Sequence, residues 1–170
     1  KGDNNGALKD YYLALDKLST YPNENWAVAI YSNISIIYLE IEDFSKGLEI
    51  NELAFKLFKN KNISNPQIET SLLIMKALFL KHLDEHESAL ETLYLAENSA
   101  IESGSINSLL NVKSNLSGAL LKANKLDEAK KIVLECINTS IEHDFQSTLN
   151  YCNSNLGHIE TALGHYSNAI

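Results

Sequence analysis

Ser114-Asn115-Leu116-Ser117, followed by Leu126-Asp127-Glu128-Ala129, decides the fold, because the same run returns as Ser154-Asn155-Leu156-Gly157 followed by Tyr166-Ser167-Asn168-Ala169. Working back along the chain, Ser32-Asn33-Ile34-Ser35 leads to Phe44-Ser45-Lys46-Gly47, and Ile74-Met75-Lys76-Ala77 leads to His86-Glu87-Ser88-Ala89. A partial copy, Gly2-Asp3-Asn4-Asn5-Gly6-Ala7-Leu8, stands in front. A small residue therefore recurs at 7, 47, 89, 129 and 169, in steps of 40, 42, 40 and 40. Self-similarity at such a period marks a stacked supersecondary unit. Inside each copy the apolar residues follow a helical period, as in Ile30, Ile34, Ile37, Tyr38 and Ile41, then Phe44, Leu48, Leu53 and Leu57. Each repeat reads as two antiparallel helices, and the fold class as all-α, a superhelix of helix pairs.

The punctuation agrees. Asn65-Pro66 sets a capping side chain before proline at a first helical position, and Ser105 and Asp144 stand ready to cap the equivalent helices further on. Asp43, Asp84 and Leu126-Asp127 mark the turn into each second helix, with Asp84 and Glu87 spaced as a capping box. Gly104 and the Lys59-Asn60-Lys61-Asn62 stretch close second helices. Helices are expected at 5–20, 24–41, 44–60, 66–83, 86–103, 106–123, 126–143 and 146–163, with another starting at 166. The expected domain is one solenoid over 1–170: a partial repeat at 1–22, repeats at 23–63, 64–104 and 105–144, and a partial repeat at 145–170. The chain opens on Lys1-Gly2-Asp3 without a methionine, and is read as a fragment cut within a repeat at both ends.

Composition narrows the function. Fourteen cations against 22 acids give a net charge of −8, whereas nucleic-acid affinity rests on clustered cations that release counterions; no nucleic-acid partner is expected. All 14 cations are lysines, so anions must be met by ammonium groups or neutral amides rather than by the arginine fork. No apolar run approaches the roughly 20 residues that span a bilayer, and no membrane contact is expected. The nineteen asparagines are mediocre helix formers that need a cap or a partner. No phosphate loop, nucleophile elbow or framed carboxylate pair occurs, so neither a catalytic residue nor a cofactor is expected.

The pattern resembles the tetratricopeptide repeat in its long, 40-residue variety. Its signature positions match Ile34, Tyr38, Asp43, Phe44 and Ala54; Ala77, Ala89 and Ala96; Leu116 and Ala129; and Leu156, Gly157, Gly164, Tyr166 and Ala169. The signature tryptophan is replaced by Tyr31, Leu73, Lys113 and Asn153, and the proline near the repeat end is missing. The resemblance implies a right-handed solenoid whose first helices line a concave groove, and it implies that Asn33, Asn115 and Asn155 face that groove and hold a peptide main chain. A side-chain amide offers two donors and an acceptor, which suits sequence-tolerant recognition. Asn111, Ser114, Tyr151 and His158 lie about one helical turn to either side and complete the expected groove set. The same asparagines are equally well explained as bonds between helices or as solvated side chains. The lysines of a carboxylate clamp are incomplete, with Lys76, Lys113 and Lys122 nearby.

The resemblance further implies a non-enzymatic protein- or peptide-binding module, as in bacterial regulators. The alternatives are the sensory input region of a diguanylate cyclase or histidine kinase, with catalysis outside these residues, and a scaffold that self-associates through its open ends. Location is expected to be cytoplasmic, or periplasmic if the module is a sensor. His82 and His86 have the spacing of a metal pair but straddle a turn, so no metal site is expected. Cys136 and Cys152 fall on adjacent helices and read as two small buried side chains, a disulfide being conceivable where the compartment is oxidising. Tyr11, Tyr12, Tyr31, Tyr38 and Trp26 read mostly as packing, with Trp26 stapling the loop before it. Glu40, Glu42, Asp43, Glu49 and Glu52 read as a solvated acidic face.

If the small positions let the paired helices of a repeat approach closely, replacing Ala89 or Ala129 with Leu should overpack the pair and cost roughly 1–3 kcal/mol. Urea denaturation of Ala129→Leu would measure it; an unchanged midpoint would refute the repeat register.

Overall fold

A computed structural model describes residues 3–60 and 63–164. These form eight helices: α1 (Asn4–Thr20), α2 (Glu24–Glu40), α3 (Phe44–Asn60), α4 (Pro66–His82), α5 (His86–Ser103), α6 (Ile106–Lys122), α7 (Leu126–Glu142) and α8 (Gln146–Ala162). The fold is an all-α superhelix, and each helix lies within a residue of its expected bounds. The helix expected from 166, the small position Ala169 and the Lys61-Asn62 stretch lie outside the described residues.

Helices that follow one another in sequence pack side by side. In addition α2 meets α4, α4 meets α6 and α6 meets α8, whereas the backbones of α1, α3, α5 and α7 do not approach one another. A stack in which only the first helices converge must curve with those helices on its inner side. The core runs along the stack between helix layers. One cluster joins Leu93, Leu110, Leu116, Leu120, Val133 and Ile159, and a second joins Val28, Ala54, Phe58 and Leu72. By contrast α1 has no buried residue, because α2 is the only helix it packs against among the described residues.

Two caps form as the sequence predicts: the side chains of Asn65 and Ser105 accept from the amides of Ile68 and Ser108, each at 3.2 Å. Asp3 and Asn23, not singled out from sequence, cap in the same way, accepting from Gly6 and Trp26 at 2.9 and 3.0 Å. Two others differ. Asp84 and Asp144 do not cap the helices that follow them: their φ angles are 62° and 57°, in the left-handed region, and the caps of α5 and α8 are Glu85 and Phe145, without side-chain bonds. The two aspartates instead close the preceding helices. The Glu85 amide donates to the Leu80 carbonyl and the Phe145 amide to the Ser140 carbonyl, each at 2.9 Å, which is the long bond of a Schellman closure. Glu42 and Asn124 take the same conformation, at φ 62° and 56°, and Gly164 follows at φ 79°. Left-handed backbone thus recurs at 42, 84, 124 and 164, on the repeat period. Aspartate and asparagine tolerate it at a cost glycine would avoid, and Glu42 adopts it with a longer side chain.

The small positions behave as expected in kind but not in partner. Gly47, Ala89 and Ala129 are all buried. Gly47, however, makes room for the next repeat: a Cβ there would lie 2.3 Å from Cε1 of Phe79 on α4, and Phe79 is itself fully buried. The glycine is needed because a phenyl ring occupies the volume a methyl group would take.

Polar links cross between neighbouring helices. Lys59 pairs with Glu69, Lys76 with Glu52 at 3.0 Å, Lys113 with Glu135 at 2.6 Å and Lys130 with Glu160 at 2.7 Å. The Tyr94 hydroxyl donates to Glu128 at 2.5 Å, and burial, then this bond, pushes its pKa up to about 12. Cys136 and Cys152 are both fully buried, and they are joined as a disulfide between α7 and α8 with Cα atoms 6.6 Å apart. The pairing goes beyond the reading of two small core side chains. The histidines diverge: His82 stacks on Phe44 at 4.3 Å, while His86 Nε2 lies 3.7 Å from Asp84. Among the described residues no group of three or more His, Cys, Asp or Glu could hold a metal, and no helix is long and apolar enough to cross a membrane. Trp26 and Tyr21 are 67% and 79% exposed among the described residues, so they do not staple the loop into a core.

Two glycines separate packing from helix propensity. Gly47→Ala should lower stability, because the clash with Phe79, about 1–3 kcal/mol, outweighs the helix-propensity gain of about 1 kcal/mol. Gly118→Ala should raise stability by about 0.5–1 kcal/mol, since its added Cβ meets only Asn155 Nδ2 at 3.6 Å and Oδ1 at 3.9 Å. Paired thermal melts check both signs.

Candidate functional groove

The inner side of the stack opens into two cavities that share a wall. The larger, about 710 Å³, lies between α4, α6 and α8 and is closed at one end by the start of α5. The smaller, about 350 Å³, lies between Leu78 of α4, Asn111 and Ser114 of α6, and Ser147 and Thr148 of α8. Leu78, Asn115 and Tyr151 line both. The two form one elongated groove, with Asn115 and Tyr151 at its waist.

Helical geometry sets this placement. On α6, Asn111, Asn115, Gly118 and Lys122 succeed one another every three or four residues, so they form one stripe. On α8 the same spacing joins Tyr151, Asn155 and His158, and on α4 it joins Leu78 to Lys81. The convergence of the first helices brings the stripes together. Six of the seven expected groove residues, Asn111, Ser114, Asn115, Tyr151, Asn155 and His158, line the two cavities. Asn33 lines neither and is exposed on α2; the second repeat carries Met75 at this position, so no ladder of amides runs from Asn33 to Asn115.

The asparagines differ in their bonds. Asn155 is buried, and its amide nitrogen donates to the Ser114 carbonyl and to Ser117 Oγ, both at 2.9 Å. It ties α8 to α6 while its side chain also forms part of the groove wall. Asn115 donates to the Asn111 carbonyl on its own helix at 2.8 Å, which leaves its oxygen directed to no described partner. Ser114 is buried, and its hydroxyl donates to the Asn111 carbonyl at 2.9 Å. Tyr151 is 46% exposed and presents its ring and hydroxyl at the waist.

Several groove residues were not singled out from sequence. Leu78, Lys81, Asp84, His86 and Gly118 all line the larger cavity, as does Lys122. Gly118 lies three residues after Asn115, a spacing that would have found it, and Lys122, seven after, is one of the lysines the sequence already set near the groove. Lys81 and His86 flank the short turn between α4 and α5, and they line the cavity because that turn packs beside the end of α6. The floor is apolar, with Ala77, Leu93 and Ala119.

No protein-family model matches the chain, and no curated protein matches it. Solved structures do. The apo form of RapI superposes with a TM-score of 0.87 at 18% identity, over 98% of this chain and 60% of that one. A Rap protein complexed with competence and sporulation factor gives 0.82 at 18% identity, over 95% of this chain and 45% of that one. A signal transduction ATPase with numerous domains and a tetratricopeptide repeat sensor, from Pyrococcus horikoshii, gives 0.84 at 18% identity, over 99% of this chain and 26% of that one. The chain thus spans between about a quarter and three fifths of the length of these three. Its fold is a tetratricopeptide-like helical-repeat superhelix.

Proposed function

We propose that this chain is a non-enzymatic module that binds an extended protein or peptide segment along the groove between α4, α6 and α8. The observation that carries the reading is the continuous groove, roughly 710 and 350 Å³ in its two parts, floored by apolar side chains and edged by amides and hydroxyls. Main-chain amides of an extended segment need donors and acceptors spaced along a cleft. Asn111, Asn115 and Ser147 supply them on facing helices, and the Tyr151 ring supplies a flat apolar contact. A Rap protein of similar fold is described in complex with competence and sporulation factor, which supports such a use of the fold.

A second reading concerns context. The match to an ATPase carrying a tetratricopeptide repeat sensor, of which this chain covers 26%, favours a regulatory or sensory part of a larger signalling protein. Under that reading the groove is unchanged and the output lies in another domain, of which a diguanylate cyclase or kinase is one form.

The two asparagines separate binding from folding. With a peptide selected from a displayed random library and titrated calorimetrically, Asn115→Ala should weaken binding about three- to tenfold, the worth of about one hydrogen bond, with an unchanged melting curve. Asn155→Ala should lower stability by about 0.5–1.5 kcal/mol, the net worth of a buried hydrogen bond, since it removes the link from α8 to α6. Equal affinity of Asn115→Ala and parent for the selected peptide would refute the role of the waist.

A further inference from the structure

Where one repeat meets the next, a small residue of a second helix comes together with an aliphatic residue of the first helix that follows. Ala54 of α3 shares a buried cluster with Leu72 of α4, and Ala96 of α5 shares one with Val112 of α6. One period further on, the same two positions are Cys136 of α7 and Cys152 of α8. They are the only two cysteines of the chain, they stand 16 residues apart, and they are bonded to each other. The third junction thus carries a covalent link where the two before it are held by non-covalent contacts.

Both redox forms of the pair fit this core. Cys136 Sγ lies 3.8 Å from the Leu110 carbonyl oxygen of α6, so on reduction its S–H finds an acceptor already in place. The alanine and valine of the preceding junction show that side chains of similar size close such a contact without a bond. Both cysteines are fully buried, and a thiolate must reach one sulfur to exchange with it, so reduction requires α8 to lift from α7. That helix is also a wall of the groove. Tyr151, beside Cys152 in sequence, lines both cavities, and Asn155 and His158 line the larger. Apart from the disulfide, α8 is tied to α7 by Lys130 and Glu160 at 2.7 Å and to α6 by Asn155.

We propose that Cys136 and Cys152 form a reversible thiol–disulfide site that sets how firmly α8 is docked and, resting on the groove-binding reading above, couples the groove to a small-molecule thiol and its disulfide. With a dithiol as reductant, one reagent thiolate attacks a sulfur of the pair, giving a mixed disulfide and releasing the other cysteine. The reagent's second thiolate then closes its own disulfide and releases the first cysteine, so the dithiol supplies both electrons and both protons. Oxidation by a small disulfide runs the same steps in reverse. Reduction frees the 16-residue stretch between the cysteines from its cross-link, and α8 is then held by non-covalent contacts, like α4 and α6 before it.

The test uses the chain as it stands, oxidised or held in excess dithiothreitol, and reads amide hydrogen exchange helix by helix. Amides of α8 should exchange about thirtyfold or more faster in the reduced form, as the restraint of the cross-link is lost, while those of α4 and α5 keep their rates. Oxidised glutathione should then restore the slow rate and consume both free thiols. Cys136→Ala with Cys152→Val installs the pair of the preceding junction, and its α8 should exchange at one rate with and without the reagent. Should that variant melt earlier than the reduced parent, Cys136→Ser removes the bond and keeps a donor for the Leu110 carbonyl, and the same indifference to the reagent is expected. Equal exchange of α8 in the oxidised and reduced parent, failure of oxidised glutathione to reverse the change, or variants that respond to the reagent as the parent does would each overturn the proposal. The coupling is read separately: a peptide selected from a displayed library, at about ten times its Kd, should slow reduction about tenfold, because it must leave before α8 lifts. Reduction at an unchanged rate would overturn the coupling, and a library without any binder would overturn the groove reading, while the exchange of α8, measured without peptide, still decides the redox site.

Discussion

A pair of helices exposes one apolar face that it cannot cover by itself, and every other feature of this molecule depends on the next pair covering it. The constraint is tightest where α3 meets α4. There Phe79 fills the volume that a side chain on residue 47 would need, and only glycine leaves room. Ala129 answers the same demand further along, in the cluster that also holds Val133 and Ile159. Because stability is assembled at such nearest-neighbour contacts, α1, which among the described residues packs only on α2, buries nothing fully. Trp26 and Tyr21 stand exposed beside it for the same reason.

The stack's curvature follows from which helices touch. When α4, α6 and α8 converge while α3, α5 and α7 stay apart, the inner side narrows into a groove and three helical stripes come to face one another. Chemistry that is dilute along the sequence is thereby concentrated. Asn115 and Lys122 lie two turns apart on one helix, Tyr151 and His158 two turns apart on another, and Lys81 ends a third. Their joint surface is amphipathic along its length, with cationic groups at one end and neutral amides and hydroxyls at the other.

Asn155 shows why repetition of a residue does not guarantee repetition of its role. Asn33, Asn115 and Asn155 occupy the same repeat position. One is exposed on α2, one bonds within its own helix, and one is buried with its amide spent on α6. What differs is the neighbour: Ser117 and the Ser114 carbonyl stand within reach of Asn155, whereas Asn33 is exposed on α2. A similar lesson holds at the turns. Asp84 and Asp144 have the side chains of helix caps, yet the tight connection places them one residue early, in left-handed backbone, where they close the helix behind them instead of opening the one ahead.

The helices, their order and their pairing were legible in the sequence, because helical periodicity and the 40-residue recurrence are properties of the chain that neighbours amplify rather than create. Most of the groove was legible too, since Asn111, Asn115, Tyr151, Asn155 and His158 fall on stripes that a spacing of three or four residues defines. What the tertiary structure alone decided is which stripes face each other. Lys81 and His86, on either side of the α4–α5 turn, enter the groove because that turn is brought beside α6 and α8. Asn33 stays outside it because the cavities lie where α4, α6 and α8 converge, and α2 does not reach them. Cys136 meets Cys152 because α7 and α8 pack together. Periodicity is a local quantity that a sequence carries in full. Convergence depends on distances between residues far apart in the chain, and those exist only once the apolar faces have been buried against one another.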